Sequence, residues 1–153
     1  MTPPFPRTVC ACPGDVENCS RPGYLIPGDL IAIGELLRDQ RGENPLQMFE
    51  ASHGAVVADS STGRRFRIAT IVPKVRHGRC VFLDGHRRCT IHEAAPFACA
   101  FFDVHMGWVE RQRRTAWGLR QVRDHEEYAR IRDALANRDG GMKEPLAFAK
   151  ASH

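Results

Sequence analysis

Six cysteines, arranged as Cys10-x-Cys12-x6-Cys19 and Cys80-x8-Cys89-x9-Cys99, constrain this chain more than any other feature. A chain of 153 residues can close one hydrophobic core without cross-links, so the thiols are not needed as staples. The N-terminus, Met1-Thr2-Pro3-Pro4-Phe5-Pro6-Arg7, lacks the apolar run of a signal peptide, and the expected location is the cytoplasm, where thiols stay reduced. Disulfides are therefore the weaker reading, although the count is even. Buried structural cysteine suits Cys99, between Ala98 and Ala100, but not Cys10-Ala11-Cys12 in a Pro/Gly-rich stretch. Metal ligation suits both clusters. Thiolates bind soft and borderline metals, and zinc or an iron–sulfur cluster draws four ligands from short segments brought together by folding. The candidates are Cys10, Cys12, Cys19, Cys80, Cys89 and Cys99, with Cys80, Cys89 and Cys99 plus one or more of the others as the minimal set.

Composition excludes several alternatives. The chain is 42% hydrophobic with a net charge of +4, which is too apolar and too weakly charged for disorder. No stretch approaches the ~20 apolar residues of a membrane helix, so no membrane partner is expected. Almost every cation is arginine, lysine occurring only at Lys74, Lys143 and Lys150. Arg64-Arg65-x-Arg67, Arg87-Arg88 and Arg111-x-Arg113-Arg114 are candidate anion contacts. Without an aromatic-interleaved basic stripe they read first as solvated surface, and nucleic acid is not the expected partner.

The pattern along the chain predicts one α+β domain over residues 1–153, with short strands, a hairpin, a few helices and long loops around a metal site. Residues 1–28 read as irregular. Leu30, Ile31, Ile33, Leu36 and Leu37 form a helical stripe capped by Asp29 and stopped at Gly42. Asn44-Pro45-Leu46-Gln47 opens a short helix through about Glu50. Strands are expected over 54–59, 65–72 and 80–83, Phe66, Ile68 and Thr70 sharing the inner face of the second. Asp84-Gly85 turns the third into a hairpin with 88–91. Asp124-x-x-Glu127 reads as the capping box of a last helix through about Asn137, with Tyr128, Ile131 and Leu135 inward, ended by Gly140-Gly141. The tail to His153 is expected to fray.

One segment carries a family resemblance. Cys80-Val81-Phe82-Leu83, then Cys89-Thr90-Ile91-His92, then Pro96-Phe97-Ala98-Cys99-Ala100-Phe101, resembles the second half of the YkgJ-like cysteine-cluster family, described as zinc- or iron-chelating. There the pattern is C-x-F-L, C-x-I-Y, an Arg-Pro pair and C-R-x-F/Y. Cys10, Cys12 and Cys19, followed by Tyr24-Leu25-Ile26-Pro27-Gly28-Asp29-Leu30, are similar to its first half, a cysteine cluster followed by L-T-P-x-D. The resemblance spans residues 10 to about 102 and leaves 103–153 as a C-terminal helical extension. It implies a metal-chelating protein with zinc or a [4Fe–4S] cluster as cofactor. Related sequences resemble flagellin lysine methylases, where an iron–sulfur cluster is implied. The chain departs from the pattern in having three early cysteines instead of four, Ala95 and Ala100 in place of arginines, and His92 in place of Tyr.

Other signals are weaker. His92 and His77 lie three residues from a cysteine and are secondary ligand candidates, while His53, His86, His105 and His125 have no spacing argument. His92-Glu93-Ala94-Ala95-Pro96 is not a zincin helix, and no nucleophile elbow, Walker loop or dinucleotide fingerprint is present. Asp59, Asp84, Asp103 and Glu93 are expected to cap, turn or face water, and Trp108 and Trp117 to pack. Metal chelation is the leading function. An iron–sulfur enzyme or redox protein is the alternative, and a nucleic-acid-binding zinc module the third reading.

Overall fold

The apolar run from Leu25 to Leu37 builds the first helix and half the core beneath it. In the computed structural model, which describes residues 2–8, 18–58 and 61–141, α1 spans Pro27–Glu35 and continues as a wider π turn over Leu36–Gln40. Pro27 starts it, because the first helical position needs no N–H. Asp29 is therefore the third helical residue and not the cap itself. Its carboxylate Oδ2 accepts the Ile26 N–H at 2.9 Å. Ile33, Leu36 and Leu37 are buried, but Ile31, expected on the same stripe, is 65% exposed because the helical period turns it away from the core. Gly42, at φ 64°, ends the helix and donates to Arg38 O at 3.2 Å.

A single helical turn, Pro45–Met48, follows, with the Asn44 side chain accepting the Leu46 N–H at 3.1 Å. It stops before Glu50, because β1 already begins at Phe49. β1 (Phe49–Ala58) pairs antiparallel with β2 (Arg65–Pro73). β1 thus starts five residues before the expected strand, whose end, Asp59, lies outside the described residues. Its ladder is irregular between Ser52 and Ala55. Gly54 sits there at φ 69°, where an added Cβ would lie 1.7 Å from the Ile68 carbonyl oxygen. Ile68 and Thr70 face inward as the alternation predicts.

Two short strands, β3 (Val75–Arg76) and β4 (Arg79–Cys80), turn through His77-Gly78. The expected strand over 80–83 is not formed beyond Cys80. The hairpin to 88–91 is held instead by one antiparallel bridge, Leu83 to Cys89, and by Thr90 N–H donating to Phe82 O at 2.7 Å. The Asp84 side chain organises this turn, accepting the N–H groups of His86 at 2.8 Å and Arg88 at 3.0 Å, and so leaves little length for pairing.

Three helices complete the α+β fold: α2 (Phe97–Ala100), α3 (Trp108–Arg123) and α4 (Glu126–Arg138). α4 is capped by His125, whose Nδ1 accepts the Tyr128 N–H at 3.2 Å, and not by Asp124, which closes the C-terminal end of α3. Leu119 and Val122 of α3 join Tyr128 and Leu135 of α4, Phe49, Ile71, Ile33, Leu37, Phe97 and Ile91 in one hydrophobic cluster. Tyr128 ties three segments at its centre. Its hydroxyl accepts the Ile71 N–H and donates to Leu25 O, both at 2.7 Å. Residues 2–8 strap across the helices: Phe5 packs edge-on against Trp117, and buried Arg114 donates to Pro6 O at 3.1 Å and Phe101 O at 2.8 Å. Among the described residues, no helix is long and apolar enough to cross a membrane.

Candidate functional site

Two stretches remote in sequence, 23–29 and 96–100, are stitched together by backbone geometry, and this juxtaposition builds the site. Asp29 Oδ2 accepts the Phe97 N–H at 2.7 Å as well as that of Ile26, so one carboxylate fixes the start of α1 against the start of α2. Ala98 N–H donates to Tyr24 O at 3.2 Å. Gly23 touches α2 so closely that an added Cβ would lie 2.5 Å from the Ala98 backbone, and its N–H donates to Cys99 Sγ at 3.2 Å.

The other thiols approach the same place from different elements. Cys19 lies on the helical turn Asn18–Ser20, which packs against β4. Cys80 ends β4, and Cys89 is held by its bridge to Leu83. Cys19, Cys80, Cys89 and Cys99 all line one cavity of about 780 Å³, and all four are free thiols. They are close enough that a thiolate at one raises the pKa of another. Burial first, and then the neighbouring Cys89 and Cys19, push Cys80 up to about 11 against the Phe82 backbone hydrogen bond. Cys99 is pushed up to about 12, chiefly by burial and then by Cys80, Cys89 and Cys19. Cys99 nevertheless has exposed surface, because it opens onto the cavity while protein packs densely on its other sides. Burial also raises Cys19 and Cys89, the latter opposed by the guanidinium charges of Arg41 and Arg7.

As free thiols, these groups are protonated at neutral pH, and a bound cation would displace the protons. The donor set of neutral, adjacent sulfurs fits a thiophilic metal. Among the described residues, however, no three His, Cys, Asp or Glu donors converge closely enough to hold a single ion. Zinc needs its sulfurs about 2.3 Å from one point.

Cys10 and Cys12 lie outside the described residues. His92 lines the cavity, and its carbonyl accepts from Arg7 at 2.8 Å, whereas His77, His53, His86, His105 and His125 do not line it. Asp84 and Asp103 act as turn caps, Asp103 Oδ1 accepting the His105 N–H at 2.8 Å. Trp117 packs against Phe97, but Trp108 is 73% exposed, contrary to expectation, because it stands at the outer start of α3. The three arginine groups do not share a face. Arg87, Arg88 and Arg111 line the cavity, Arg113 pairs with Glu110, and Arg114 is buried. Arg7 and Arg21 also line it and were not singled out by the sequence, which offers no local signal for residues this far apart.

Compared with known proteins, the chain matches no family model, and no curated protein or solved structure is significantly similar to it.

Proposed function

We propose that this chain is a cytoplasmic metal-centre protein in which Cys19, Cys80, Cys89 and Cys99 hold a polynuclear iron–sulfur centre, a [4Fe–4S] cluster in the simplest case. The observation that carries the reading is the meeting of four free thiols, from four separate segments, around one cavity. Four protein thiolates are the complement of a [4Fe–4S] cluster, and the cavity they share is larger than a lone zinc ion fills. Cys10 and Cys12 remain the further candidates, in keeping with the resemblance to the YkgJ-like family. The centre, when bound, supplies structural cross-linking and electron storage. The chain supplies the holding geometry. Asp29 and Gly23 fix Cys99 relative to α1, and the Asp84 turn fixes Cys89 relative to Cys80.

Protein purified without oxygen is expected to be brown and to contain roughly four irons and four acid-labile sulfides per chain. Replacing Cys80, Cys89 and Cys99 together by serine should abolish both. A colourless protein with one zinc per chain and no sulfide would overturn the cluster. Metal content unchanged in the triple variant would overturn the shared site.

A further inference from the structure

The cavity that gathers the thiols is larger than a metal centre requires, and the charges on the rest of its wall are mostly positive. Its volume of about 780 Å³ falls in the range of roughly 300–1,000 Å³ common to small-molecule sites. Five arginines line it, Arg7, Arg21, Arg87, Arg88 and Arg111, against one carboxylate, Asp103. Arg7 donates to His92 O, and Arg111 to Met106 O and Asp103 O, all neutral carbonyls, and the carboxylate that Arg7 attracts is Asp29, outside the wall. Among the described residues, Arg21, Arg87 and Arg88 enter no ion pair within 4.0 Å, although the charge of Arg88 acts on the Asp84 carboxylate of its own turn. Arg87 and Arg88 are set on the rim by the Asp84 turn, in which Arg87 adopts φ 61°, a conformation rare for a residue with a side chain.

A metal centre does not absorb this surplus. Four thiolates around a dication core leave a net charge of about −2, so about two positive charges remain on the wall. The wall also has apolar surface from half-buried Leu83 and Phe102, backed by buried Phe82 and Ile91.

We propose that this cavity binds a small organic oxyanion beside the metal centre. Its carboxylate or phosphate head would sit on Arg21, Arg87 and Arg88, and its apolar body against Leu83 and Phe102. Guanidinium forks match either head, and the apolar wall selects for an organic body over a bare inorganic ion. The charge count rests on the metal-centre reading; the arginine geometry does not.

The test is calorimetric titration of the protein as purified without oxygen, with iron and sulfide assayed on the same samples. Phenyl phosphate and phenylacetate are the organic probes, and inorganic phosphate and benzyl alcohol the controls. One or both organic anions should bind saturably, about tenfold tighter than inorganic phosphate or benzyl alcohol. Arg21→Gln and Arg88→Gln, whose side chains are exposed, should each weaken that binding about tenfold while leaving the thermal midpoint unchanged. Arg64→Gln, exposed and not part of the cavity wall, should leave affinity unaltered. Equal weakening by Arg64→Gln, equal affinity for benzyl alcohol, or no saturable binding to fully metal-loaded protein would each overturn the oxyanion site. Arginine-dependent binding to protein that never contains metal would uphold that site and overturn the metal centre instead.

Discussion

Asp29 is where stability and site geometry are most tightly joined. Its carboxylate accepts two backbone N–H groups through Oδ2, at 2.9 Å from Ile26 and 2.7 Å from Phe97. Burial nevertheless pushes it up from 3.8 to about 6, against those two bonds and the attraction of Arg7. The native state therefore favours the protonated acid. That contribution is fully present below 3.8 and is lost as pH rises through about 6. The interval corresponds to about 3 kcal/mol. Asp29→Asn keeps an oxygen acceptor and does not titrate, so subtracting its stability isolates this one group. In urea unfolding followed by tryptophan fluorescence, wild type should gain up to about 3 kcal/mol on the Asn variant between about pH 7.5 and pH 4. Asp29→Ala leaves both N–H groups without an acceptor, at about 1–3 kcal/mol each, and should lie below the Asn variant at every pH. A wild-type-minus-Asn difference that stays flat across that interval, or Ala and Asn variants of equal stability, would refute the reasoning.

Tyr128→Phe removes a hydroxyl that satisfies both Ile71 N–H and Leu25 O, and should lower unfolding free energy by about 2–4 kcal/mol in urea titrations, with the apolar packing kept. Gly23→Ala places a methyl 2.5 Å from the Ala98 backbone. It should cost about 1–3 kcal/mol by thermal melting and reduce metal retention, because Cys99 must move with α2. In metal-free protein, the part of the thiolate absorbance that is lost on replacing Cys80 and Cys99 by serine should rise only at strongly alkaline pH, since burial holds Cys80 near 11 and Cys99 near 12. Their share of stability is fully present below the ordinary thiol value of 9.0 and is lost as pH climbs through those raised values.

Local signals in the sequence reported the local structure well. Alternation found β2, Asp84-Gly85 found the turn between Cys80 and Cys89, and apolar spacing found the faces of α1 and α4. The boundaries moved wherever a residue had a competing role, as when Pro27 displaced Asp29 from the cap or His125 displaced Asp124. α3 falls within the helical extension expected over 103–153, but its bounds were not legible because its inward stripe is Arg114, Gly118, Leu119 and Val122, in which two of four positions look like surface or turn residues. Gly118 is there for closeness, since a Cβ would fall 2.3 Å from the Tyr24 hydroxyl. The candidate site was half legible. The cysteines announce themselves by chemistry, but the arginines around them come from segments beginning at residues 7, 21, 87 and 111, and only folding puts them together.

The N-terminal strap also dictates when the site can be completed. Thr8 N–H donates to Ala100 O, and Pro6 O waits for Arg114, so the segment leading to the first cysteine cluster has no docking partners until the chain is made well past its middle. Contacts of such long sequence separation are slow to close. During synthesis, Cys19 emerges long before Cys80, Cys89 and Cys99. Assembly of the four-thiol site is thus a late event, and a metal centre of the kind proposed would be loaded only onto a chain made well past its middle.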